Sequence, residues 1–124
     1  MSYMVYTNNL INHNENLEKQ GGEIMFMGSS ILLEGVVLSA VSEKKDGIHG
    51  YKIYKKINGG IAISESAIYQ MLHKLCSKGY ISASSEVLNG RNRKIYIIKE
   101  KGEERLSKIK NEWYLFSKWF ASIL

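Results

Sequence analysis

Ser64-Glu65-Ser66-Ala67-Ile68-Tyr69-Gln70-Met71-Leu72-His73-Lys74-Leu75-Cys76-Ser77-Lys78-Gly79-Tyr80 decides how this chain is read. Ile68, Met71, Leu72 and Leu75 fall at i, i+3, i+4 and i+7, the spacing of one apolar helix face. Ser66, Tyr69, Gln70, His73 and Ser77 form a second stripe, polar and rich in hydrogen-bonding groups, with Lys74 beside it. Ser64 is placed to cap the first turn and Gly79 to end the last. A helix with one buried face and one hydrogen-bonding face, followed at once by a strand pattern, suggests a helix that reads DNA. The competing reading is a merely solvated polar face.

Downstream, residues 80–87 read as a strand with weak alternation. Asn89-Gly90 is a hairpin turn signal, and residues 93–98 read as the return strand. Arg91, Asn92, Arg93 and Lys94 cluster at the tip of this hairpin, where closely spaced cations suit backbone or minor-groove contacts. Gly102 interrupts, and a long helix then reaches the end of the chain. In it Leu106, Ile109, Trp113, Phe116, Phe120 and Ile123 are spaced 3, 4, 3, 4, 3, a heptad seam. Tyr114, Leu115, Trp119 and Leu124 add apolar surface beside the seam. So apolar a terminal helix predicts a subunit interface; simple interior packing is the alternative.

Upstream, Ser29 or Ser30 is placed to cap a helix over 31–43. Its apolar residues occupy more than one face, so it should be a central core helix. Ile48-His49-Gly50-Tyr51 opens a second helix running to about Ile57, with Tyr51 or Ile53 on its inward stripe and Lys52 and Lys55 mostly outside. Asn58-Gly59-Gly60 breaks it, and Ile61-Ala62-Ile63 has the makings of a short strand. Residues 1–27, Asn-rich in their first half, read as a mobile tail, with a short helix between Asn8 and Gln20 as an option.

Composition bounds the partners. The 124 residues are 44% hydrophobic and 23% charged, enough apolar material for an ordinary core. The net charge of +5 favours an anionic partner. Its distribution says more: residues 89–110 hold eight basic side chains against three acidic ones. No apolar run is long enough to span a membrane, and no signal peptide is apparent. A single cysteine fits a reducing compartment, so the cytoplasm is the expected location. His13, His49 and His73 lie in different elements, with no spacing suited to zinc. Gly59-Gly60 lacks the Gly-Lys-Ser/Thr of a phosphate loop. Cys76 sits at the shoulder of the apolar stripe with no catalytic partner in view. No metal, cofactor or enzymatic activity is therefore expected.

The order of elements is that of a winged helix-turn-helix protein, and the residues resemble the PadR-type transcriptional regulators over about 30–124. Leu32-Leu33-Glu34-Gly35 with residues 36–41 looks like that family's first core helix. His49-Gly50-Tyr51-Lys52-Ile53 resembles the start of its second helix. Residues 63–72, Leu75 and Gly79-Tyr80-Ile81 resemble its recognition helix and exit. Residues 90–96, with Gly102 beyond, resemble its wing. Gln70 stands where the family usually has Pro, and Ile98-Lys99 replaces its Leu-Thr, so the usual cap of the last helix is missing.

The resemblance implies a mainly helical α+β fold, a winged helix-turn-helix with one long C-terminal dimerisation helix. Residues 1–27 would be the tail, 28–100 the DNA-binding domain and 101–124 the dimerisation helix. It implies a homodimeric DNA-binding regulator, a repressor on a pseudo-palindromic operator. The DNA-contacting residues would be Ser64, Ser66, Tyr69, Gln70, His73 and Lys74 on the helix, Tyr51 and Lys52 on the one before it, and Arg91, Asn92, Arg93 and Lys94 on the wing. A flat apolar or aromatic effector between subunits, near Trp113, Phe116 and Trp119, is permitted by the resemblance; plain interface packing is the alternative. The other overall reading is a winged-helix module that binds protein through its C-terminal apolar helix.

Overall fold

The computed structural model describes residues 28–124. The expectations for the tail over 1–27 lie outside the described residues. In chain order the elements are α1 (Ser29–Ser42), β1 (Ile48–His49), α2 (Gly50–Asn58), α3 (Glu65–Ser77), β2 (Ile81–Leu88), β3 (Arg91–Ile98) and α4 (Glu100–Ile123). The chain divides into two compact units. One is Leu33–Ser107; the other, among the described residues, holds residues 28–32 and the stretch Lys108–Leu124.

Leu33–Ser107 is built around one core. Val37, Leu38 and Val41 of α1, Ile53 and Ile57 of α2, and Ile68, Met71, Leu72 and Leu75 of α3 are all buried. Ile48, Ile81, Tyr96 and Ile98 close it from the sheet. Each fully buried aliphatic side chain contributes on the order of 1.5–3 kcal/mol relative to an exposed one. The apolar stripe of α3 is thus spent on the core, leaving its polar stripe outside. In α2 the inward position is Ile53, and Tyr51 is exposed.

The ends of α3 follow from its sequence. Ser64 is extended (φ −74°, ψ 150°), and its hydroxyl accepts from the Ala67 N–H at 3.1 Å. At the other end Gly79 adopts φ +77°. Its N–H donates to the Cys76 carbonyl and that of Tyr80 to the Leu75 carbonyl, each at 3.0 Å. This paired closure needs a left-handed residue, which glycine supplies without strain.

The sheet has three antiparallel strands in the order β1-β3-β2. Four local expectations are corrected here. Ile48-His49 does not open α2 but pairs with Tyr96 and Ile95 as β1; two residues are too few for a period to show. Ile61-Ala62-Ile63 forms no strand but an irregular link between α2 and α3. The hairpin's turn is Asn89-Gly90 alone, with φ of 52° and 76°, so residues 91–94 lie in the ladder opposite 85–88. Finally, Gly102 does not interrupt α4 but lies within its first turns. Glu100 and Glu103 supply negative charge near its start, favourable to the helix dipole.

Two ion pairs within this unit join distant stretches. The Glu34 carboxylate, only 2% exposed, accepts from Arg105 Nε at 2.7 Å and Nη2 at 3.3 Å. Lys45 Nζ donates to Glu103 at 2.6 Å.

Lys108–Leu124 is the continuation of α4 and carries an aromatic ladder. Phe116 lies 6.3 Å from Trp113, 6.0 Å from Trp119 and 6.0 Å, nearly parallel, from Phe120, centroid to centroid. Trp113, Phe120 and Ile123 are 48%, 46% and 59% exposed, whereas Leu106 and Ile109 are buried.

Candidate nucleic-acid interface

One open cavity of about 640 Å³ lies within Leu33–Ser107, between α3, the start of α2 and the wing. Its position follows from the register and the caps. Ser64 and Gly79 fix α3 so that Tyr69 and His73 project from its outer face, and both are exposed. Asn89-Gly90 sets the ladder that places Arg91, Asn92, Arg93 and Lys94 along β3. Tyr69, His73, Tyr51 and those four wing residues all line the same cavity. Sequence reasoning assigned these seven to separate elements; the fold brings them together. Ser64, Ser66, Gln70, Lys74 and Lys52 are exposed but lie outside the cavity lining.

His49, Cys76, Ala83 and Tyr96 also line the cavity and were not singled out as contact residues. For His49 a signal existed, its place in the His49-Gly50-Tyr51 element. Tyr96 stood out only as the end of the wing resemblance, and Cys76 carried no signal, because it looks like a core residue in sequence.

The walls are built by close packing. Gly50 is buried at the first turn of α2, where an added Cβ would come within 2.7 Å of the Tyr69 ring. Glycine therefore lets Tyr69 lie against the helix start. Tyr51 is held from its own side, 6.1 Å from Tyr54 and beneath the Lys55 ammonium at 5.9 Å. Burial raises the Tyr69 phenol above its ordinary range; the Glu65 charge adds to this and the Arg93 charge opposes it. Burial likewise raises the Cys76 thiol, against the pull of Lys94. Tyr96 is raised by burial first, then by Cys76 and Tyr69. At neutral pH the two phenols are donors, and the thiol is protonated and a poor nucleophile. No group of His, Cys, Asp or Glu among the described residues could hold a metal. No described helix is long and apolar enough to cross a membrane.

A concave surface framed by cations, with phenol and imidazole donors and no metal-ligand cluster, is chemically suited to an anionic backbone. Residues 37–108 match the model of the transcriptional regulator PadR-like family. The chain belongs to that family. Among solved structures, smu.1704 from Streptococcus mutans UA159 is 33% identical, with a TM-score of 0.70 over 77% of this chain and 88% of that one. A PadR-like transcriptional regulator from Bacillus cereus is 28% identical, with a TM-score of 0.66 over 74% and 90%. A Streptococcus transcriptional regulator is 27% identical, with a TM-score of 0.67 over 75% and 92%. No curated protein matches the chain. As a PadR-like protein this is a winged-helix, DNA-binding transcriptional regulator and not an enzyme. The expected α+β, mainly helical winged fold is borne out, as is the family resemblance.

Proposed function

We propose that this PadR-like protein is a homodimeric repressor that binds a pseudo-palindromic operator in the cytoplasm. The observation that carries the reading is the convergence of Tyr69 and His73 with residues 91–94 on one concave surface. In this reading α3 enters the major groove. Ser66 and Gln70 meet base edges, Gln70 being able to bond adenine at two points. Tyr69, Tyr51, Lys52, Lys74 and the cap region at Ser64 meet phosphates, which fix the helix in register. Residues 91–94 clamp the backbone beside it. Residues 28–100 act as the DNA-binding part and 101–124 as the dimerising part. The exposed apolar side chains of α4 support a second copy as its partner. The Trp113, Phe116 and Trp119 rings offer a surface on which a flat apolar effector would relieve repression.

The test is a binding titration over a range of salt concentrations. The double substitution Arg91→Ala with Arg93→Ala should weaken binding to every duplex. It should also lower the slope of log affinity against log salt by about two, one per lost phosphate contact. An unchanged slope removes the wing from the interface.

A further inference from the structure

Residues 81–99 hold one acidic side chain, Glu86, in a hairpin otherwise decorated with cations. Its carboxylate lies 3.9 Å from His49 Nε2. That is too long for a hydrogen bond but within ion-pair range for a protonated imidazole. His49 Nε2 is also the one buried side-chain nitrogen or oxygen among the described residues that has no hydrogen-bond partner. The ladder explains the juxtaposition. His49 stands opposite Ile95, Ile95 opposite Ser84, and Glu86 opposite Arg93. Opposed residues share a sheet face, and alternate residues along a strand return to it. His49, Glu86, Arg91 and Arg93 therefore share one face, while Lys94 and Tyr96 belong to the other.

We propose that Glu86 is a built-in competitor of DNA phosphate on the wing, and that protonation of His49 relieves the competition. With His49 neutral, the Glu86 carboxylate repels an approaching phosphate and weakens the field of Arg93. With His49 protonated, its Nε2–H faces the carboxylate as an ion-pair donor and cancels that charge. The trio His49, Glu86 and Arg93 then passes from no net charge to +1. DNA binding takes up a proton at this pair, and affinity rises as pH falls. The other titratable or charged groups lining the cavity with His49 are Tyr51 from α2, Tyr69, His73 and Cys76 from α3, and Arg91, Arg93, Lys94 and Tyr96 from β3. His73 is the other imidazole lining the cavity, so it is the control.

The inference rests on the reading that the wing meets the DNA backbone. The experiment measures binding of a random-sequence duplex at low, fixed ionic strength, at pH of about 6 and about 8. It uses the full chain and its Glu86→Gln, His49→Gln and His73→Gln variants, each first checked by thermal melting. Glu86→Gln should bind roughly threefold tighter than the unaltered chain at the higher pH, and the gap should close at the lower. His49→Gln should abolish the closing of the gap; His73→Gln should preserve it. If Glu86→Gln gains nothing, or gains equally at both pH values, the inference is overturned while the DNA-binding reading stands. Glu86 is partly exposed, so this comparison survives even if His49→Gln fails to fold. If the unaltered chain binds no duplex, both readings fall.

Discussion

At Gly102 a methyl group would have nowhere to go. An added Cβ would lie 2.0 Å from the Tyr80 carbonyl oxygen and 3.0 Å from Ile98 Cγ1. That carbonyl is fixed by the Lys99 N–H at 2.9 Å, so it cannot swing aside. Inside an ordinary helix, glycine to alanine stabilises by about 1 kcal/mol. Here the sign should reverse: Gly102→Ala should destabilise by about 2 kcal/mol, seen as a lower melting temperature. A raised melting temperature would mean that α4 can slide away from Tyr80. The Glu34–Arg105 pair poses the complementary case of a charge that must stay matched. Arg105→Met leaves the buried Glu34 carboxylate without its guanidinium and should cost about 3–5 kcal/mol in urea unfolding. Adding Glu34→Leu to that variant should recover most of the loss, because the strain lies in the unpaired charge and not in the missing contact. Equal losses in the single and double variants would show that the ion pair itself holds the two helices.

The elements differ in how much of them the sequence revealed, and the reason is the range of the interactions that make them. Helix α3 was legible end to end, because its stripe, its Ser64 cap and its Gly79 exit are local signals within one stretch. The hairpin was legible at Asn89-Gly90 for the same reason: that dipeptide selects a turn through its own backbone preferences. Strand β1 was not, because Ile48-His49 exists as a strand only through pairing with residues 95–96, nearly fifty positions away. Gly102 was misread as an interruption because its role is to admit the Tyr80 carbonyl, a contact with no trace in local composition. The interface divides in the same way. The cations of 91–94 and the Tyr69 and His73 side chains of α3 stood out singly. Their convergence with His49 and Tyr96 on one cavity depends on the sheet register, which only the folded chain supplies. Nor did sequence spacing reveal the buried His49 nitrogen facing Glu86.

For the molecule as a whole, the remaining question is what α4 does with its exposed rings. Trp113, Phe120 and Ile123 are each about half exposed, at heptad spacing on one helix. A helix face this apolar is costly to leave in water, at roughly 25 cal/mol per Å². A second copy related by a two-fold axis would cover the same patch on both chains with one interface. It would also place two copies of α3 at a fixed separation, turning two weak contacts into one strong site. On that reading, Trp113→Glu with Phe120→Glu should convert a dimer to a monomer in gel filtration, without lowering the melting temperature of the winged-helix part. Affinity for a duplex with two half-sites should fall far more than affinity for a duplex with one, because only the first depends on both copies binding together. If the variant stays dimeric, the seam is not the interface. If it becomes monomeric while both duplexes lose affinity equally, dimerisation does not set the spacing of the recognition helices.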